Sequence, residues 1–161
     1  MPITSRVEFT NLKCRTTDKE FADVEYCVLK AVNRSYKYAS VKINLFKVPI
    51  TRVKVNLGLY KRMNGYRPFL YNVSVDGCKF LKNRKASPIT NYFFEFIREN
   101  SNINHSCPYD HDIIVDKLTT EKVNHRLTKV LAFPEGDYMI EMHWMAQDVT
   151  RIVVNVYLSL S

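Results

Sequence analysis

His105, Cys107 and His111 fall within one short stretch, and Asp110 and Asp112 flank the second histidine. Imidazole, thiolate and carboxylate are the ligands of a transition-metal site, and a cysteine beside a histidine is the pairing of a nucleophilic enzyme. The spacing matches no structural zinc motif, and a cysteine held in a disulfide serves neither chemistry. A polar loop tied down by a disulfide, with no metal, is the expectation here. Glu141 and His143 share a strand face that alternation turns to solvent, and His125 has no carboxylate at the spacing of an acid/base pair. No serine lies in a Gly-x-Ser-x-Gly elbow. The chain is therefore expected to be no enzyme and to carry no cofactor.

Four cysteines, Cys14, Cys27, Cys78 and Cys107, make an even count without Cys-x-x-Cys pairs. That excludes a zinc ribbon or a thioredoxin-like site and leaves three disulfide connectivities. Cys14 and Cys27 stand on neighbouring strands joined by a short turn, so they can meet across a hairpin. A Cys78–Cys107 bond would tie the base of the segment between them, and these two pairs are the favoured arrangement. Asn33, Asn72 and Asn104 each open an Asn-x-Ser sequon. Disulfides and sequons together point to an oxidising, secretory environment. Met1–Arg6 lacks the apolar core of a signal peptide, so a leader would stand outside this sequence.

The 161 residues suit a single domain spanning 1–161, long enough to bury a core. The formal charge of +8 is scattered from Lys37 to Lys85, with no recognition helix or RNA-binding signature beside it, so nucleic acid is not the expected partner. A solvated basic face that attracts anionic membrane surface fits better. No apolar run approaches the length of a transmembrane span.

The elements that must position these residues read mostly as strands. Period-two alternation runs through Val7–Cys14, Ala22–Leu29, Val41–Phe46, Arg52–Leu59, Tyr71–Val75, Tyr138–Met145 and Arg151–Leu160, with a short candidate at Ile113–Val115. Turn signals lie at Thr16–Lys19, Asn64–Gly65, Asp76–Gly77 and Pro134–Gly136, and Pro68 is expected to close a connection. Between Ser87 and Asn100 the period changes. Ile89, Phe93, Phe96 and Ile97 recur at helical spacing, with Ser87 as N-cap and Pro88 in the first turn. Short alternating strands with one inserted helix predict a mainly β, immunoglobulin-like antiparallel sandwich.

Several motifs occur in a specific order: Phe9–Cys14, Asn33–Ser35, Lys61–Tyr71, Val75–Cys78, Asn104–Asp110 and Phe133–Tyr138. This set resembles an insect-expanded family of secreted domains of unknown function, abundant in flies. That family is similar in turn to the ML lipid-recognition superfamily, which includes ganglioside-activator-like and sterol-carrying proteins and the CheB group of fly chemosensory proteins. The resemblance implies a two-sheet sandwich splayed enough to hold a lipid, with one disulfide between early strands and another at a hairpin. The departure from that pattern is the long helical segment between Cys78 and Cys107, which either caps the cavity or fills it.

The function so implied is a secreted binding module for a lipid or long-chain hydrocarbon, acting in chemosensation or pheromone response. The candidate cavity lining is Phe69, Tyr71, Val73, Phe93, Phe96, Tyr138, Ile140, Met142 and Trp144. The alternative is an extracellular interaction domain, with a filled core, that engages a membrane receptor or channel. A continuous apolar cavity of several hundred Å³ would favour the first reading, since ligand pockets fall in that range.

Overall fold

The computed structural model describes residues 6–33, 36–121, 123 and 134–161. Within them lie eight strands: β1 Val7–Thr16, β2 Ala22–Ala31, β3 Lys37–Leu45, β4 Val53–Met63, β5 Gly65–Asp76, β6 Ile113–Thr119, β7 Gly136–Ala146 and β8 Val149–Leu160. Helix α1, Gly77–Lys82, and helix α2, Pro88–Ile97, come between β5 and β6, and single 3-10 turns follow each of them. One sheet has the order β1-β8-β7-β4-β5 and the other β2-β3-β6, with every pairing antiparallel. This is the expected two-sheet sandwich.

Alternation along the sequence becomes rows across the large sheet. Cys14, Val154, Met142, Leu57 and Val73 stand side by side through all five strands, and Thr16, Ile152, Trp144, Val55 and Val75 form the next row on the same face. Arg15, Val153, His143, Asn56 and Ser74 make the intervening row, which the pleat turns to the other face. Because one face is apolar, a one-residue slip would expose the whole set, and this fixes the register.

The two sheets meet along one side and part along the other. The β1 and β2 edges are joined by the Cys14–Cys27 disulfide, with Cα atoms 6.1 Å apart. At the opposite edges, β5 and β6, the segment from α1 to β6 bridges the gap. Helix α1 packs on β4 and β5, and the turn after α2 packs on β6. The Cys78–Cys107 disulfide, Cα–Cα 5.5 Å, closes this segment at its root.

Two local expectations are corrected, and a third holds in position without the side-chain bond. Asp76–Gly77 starts a helix and is not a plain turn: the Asp76 carboxylate accepts the Lys79 N–H at 3.2 Å and caps α1. A helix of six residues is too short to show a period, so only its cap was legible. Ser87 does occupy the N-cap of α2, with Pro88 next, but its side chain makes no capping bond among the described residues. Pro68 lies inside β5 opposite Tyr60, because the chain reverses at once at Gly65 (φ +84°) and β5 is an edge strand, where a missing N–H breaks no ladder.

The buried residues form two clusters. Val7, Phe9, Leu59, Tyr138 and Leu158 gather around Phe96 of α2. Phe21, Ile43, Ile50, Ile113 and Ile152 gather around Tyr109. Burying a side chain the size of Phe96 stabilises by about 1.5–3 kcal/mol, so α2 is held by packing more than by its own propensity.

An apolar cavity between the sheets

Between the two clusters the interior is open. A cavity of about 240 Å³ has three walls. The large sheet contributes Val55, Leu57, Val73, Ile140, Met142 and Trp144, and the small sheet contributes Ile43, Leu45 and Ile113 with Phe21 beside them. The helical segment supplies the third wall through Phe80, Leu81, Phe93, Phe94, Phe96 and Ile97. It therefore lines the cavity without filling it. Each wall has a sequence cause: strand alternation for the sheets, and i, i+3, i+4 spacing of Phe93, Phe96 and Ile97 for α2. Ile89, one turn earlier in the same pattern, is left 47 % exposed.

Polar groups in the lining are few. The Tyr109 hydroxyl donates to the Ile103 carbonyl at 2.8 Å, with the His105 carbonyl at 3.2 Å, and burial pushes its phenol up to about 12. Thr90 also lines the space, and Arg151 is the one charged side chain that does so among the described residues. The Trp144 indole N–H is buried and meets no acceptor among the described residues.

Of the nine residues expected to line a cavity, Val73, Phe93, Phe96, Ile140, Met142 and Trp144 do so. Tyr138 lines a separate void of about 20 Å³ with Val7 and Leu59, and burial raises its phenol too. Phe69 packs on the Tyr138 ring at 5.8 Å between centroids, and the Lys61 ammonium stands over both rings at 5.5 and 5.7 Å. The Tyr71 side chain lies outside the described residues. The small-sheet wall, Phe80 and Arg151 were not foreseen. Phe80 sits on the unrecognised helix α1. Alternation misplaces Arg151 because the residue sits in a β-bulge.

Among the described residues the candidate chemical groups come together in pairs at most. Cys78–Cys107 and Cys14–Cys27 are both disulfides, so no cysteine is free. His105 and His111 meet through their Nε2 atoms at 2.6 Å, while Asp112 Oδ1 accepts the Leu45 N–H at 2.9 Å. No cluster of three or more metal-ligating side chains occurs among the described residues. His143 Nε2 contacts Glu141 Oε1 at 2.7 Å on the face turned away from the cavity. Ser74, in the same row, lies two strand spacings from His143, roughly 9–10 Å, beyond the reach of a nucleophile–base pair. His125 and Phe133 lie outside the described residues. Asn33, Asn72 and Asn104 are exposed.

A family model described as "Protein of unknown function (DUF1091)" matches residues 55–140, which is β4 through the first half of β7 with the whole helical segment. The chain belongs to this family. Within the DUF1091 match lie the Cys78–Cys107 bond, both helices and four of the six large-sheet wall residues named above: Val55, Leu57, Val73 and Ile140. A search of curated proteins returns no match. Among solved structures, a Niemann-Pick type C2 protein from the Japanese carpenter ant aligns over 96 % of this chain and 92 % of its own, at 14 % identity and a TM-score of 0.34.

Proposed function

We propose that the chain is a secreted, non-enzymatic module that holds the aliphatic part of a lipid or hydrocarbon in the cavity between its sheets. The observation that carries this reading is the cavity itself, about 240 Å³ with almost entirely apolar walls. An apolar cavity of roughly 150 Å³ already takes up benzene, so this one has room for an alkyl chain of moderate length. Each methylene moved from water into it contributes about 0.8 kcal/mol. Secretion is supported by the two disulfides and the three exposed sequon asparagines. A role in chemosensation rests on the motif resemblance alone. The alternative, an interaction domain for a receptor or channel, calls for a filled interior, and the open space between the sheets weighs against it.

The test is extraction. Protein made in a secretory host is washed, extracted into organic solvent and analysed by mass spectrometry, in parallel with titration by alkyl probes. Retained lipid, or saturable binding of a probe, supports the reading. An empty extract together with no saturable binding ends it.

A further inference from the structure

Arg151 breaks the pattern of its own strand. Ile152, Val154, Val156 and Leu158 line or close the interior, so strict alternation sends Arg151 outward. The pairing of β7 with β8 shows why it turns in. Trp144 is opposite Ile152 and Met145 is opposite Thr150, which leaves Arg151 as the extra residue of a β-bulge. A bulge redirects a side chain, and here it lays the guanidinium across the Phe21 ring, 3.9 Å from its centroid, and makes Arg151 one of the residues that line the cavity.

The guanidinium is only partly engaged. Its Nε–H donates to the Ala146 carbonyl at 3.2 Å and one N–H of its NH1 group donates to the Asp18 carboxylate. Among the described residues, three of its five donors meet no protein acceptor. The side chain is 16 % exposed, so a cation stands largely out of water beside apolar walls. One step away in the register, on the same wall, the Trp144 indole N–H is buried and has no acceptor among the described residues. A buried donor without an acceptor is costly, and the cost is recovered when a ligand oxygen arrives. Elsewhere the described lining offers only the Tyr109 hydroxyl, already committed to backbone carbonyls, and Thr90.

We infer that this end of the cavity is a head-group site, and that the ligand is an amphiphile with an anionic oxygen head, a carboxylic acid in the first instance, whose tail runs along the apolar walls toward α2. Arg151 supplies charge and the paired donors that suit a carboxylate, and Trp144 supplies a further N–H on the same wall. Asp18 competes for the same guanidinium and tempers its affinity. The inference rests on the lipid-binding reading above and adds to it which class of lipid is selected and where its head lies.

The experiment compares decanoic acid with methyl decanoate, which has the same tail and no charge. Calorimetry is used throughout, and in chains that keep Trp144 its emission is a second reporter, because it is the sole tryptophan and it lines the cavity. The wild-type chain is expected to prefer the acid at least tenfold. That preference falls to within about twofold in Arg151→Met and weakens several-fold in Trp144→Phe. In Asp18→Asn it rises, an increase that a purely structural Arg151–Asp18 pair does not produce. Should Arg151→Met fail to fold, Trp144→Phe and Asp18→Asn decide. Equal affinity for acid and ester in the wild-type chain overturns the head-group site and leaves lipid binding standing. Absence of binding by either probe overturns the lipid-binding reading itself.

Discussion

Ile50 and Tyr109 exchange both of their backbone hydrogen bonds, Ile50 N–H to Tyr109 O at 2.8 Å and Tyr109 N–H to Ile50 O at 3.0 Å. This two-residue ladder ties the loop after α2 to the segment that leads into β4, and it seats the Tyr109 ring in the cavity wall.

The first prediction concerns that ring. An unfolded tyrosine ionises near 10, whereas burial holds Tyr109 to about 12. Between those values the unfolded chain has lost a proton that the folded chain keeps, so stability is complete below pH 10 and falls as the pH rises toward 12. Tyr138, raised in the same direction by burial, adds to the slope. Urea midpoints measured from pH 8 to 12 should drop over this window, and Tyr109→Phe should flatten the drop. The same variant should cost about 1 kcal/mol at pH 7 through the lost hydrogen bond to Ile103.

The two disulfides should differ little in stability and clearly in their effect on the cavity. Sequence separations of 13 and 29 residues give about 3 and 3.5 kcal/mol in the chain-entropy model. Replacing Cys78 and Cys107 by serine should also loosen the helical wall and weaken alkyl-probe binding several-fold more than replacing Cys14 and Cys27. Paired denaturation and binding curves on the two double variants check this, and equal binding by both would contradict it.

Filling the cavity should cost binding before it costs stability. Val73→Phe adds volume where space exists, so its melting temperature should stay level or rise while the Trp144 emission response to an alkyl probe is lost. The control is Val153→Phe. Val153 is 1 % exposed on the opposite face of the sheet, and overpacking there should destabilise by about 1–3 kcal/mol. Equal destabilisation by the two substitutions would mean that the space near Val73 is not usable.

Gly136 opens β7 at φ +146°, and a Cβ built there comes within 3.1 Å of the Lys61 Cε. Gly136→Ala should therefore cost about 1 kcal/mol or more through backbone strain. It should also disturb the Lys61 stack over Phe69 and Tyr138. Thermal unfolding reads the first effect, and the near-ultraviolet dichroism of the tyrosines reads the second.

What the sequence made legible was whatever repeats with a short period. Met142 and Trp144 alternate cleanly, so their face could be assigned before any contact was known. Phe93 and Phe96 declare a helix in the same way. Strand adjacency pointed to Cys14–Cys27, and the ends of the helical segment pointed to Cys78–Cys107. The small-sheet wall was not legible, because alternation says that Ile43 faces inward and not what it faces. Phe80 was hidden by the shortness of α1, whose single marker is the Asp76 cap. Arg151 was hidden by the bulge, since one extra residue reverses the sense of alternation and only the partner strand reveals it. Phe69 and Tyr138 were assigned to the correct face, but they stack on each other beyond the end of the main cavity.

The Cys78–Cys107 bond makes residues 78 to 107 a covalent ring, entered and left at a single point. Insertions or deletions between α1 and α2 alter the circumference of that ring and leave the strands joined where they were. Doubling such a loop costs only about 0.6 kcal/mol in closure entropy. The fold thus separates two properties that most small domains couple: the frame is set by the strands, and the reach of the third wall over the interior is set by a ring whose length the frame does not feel.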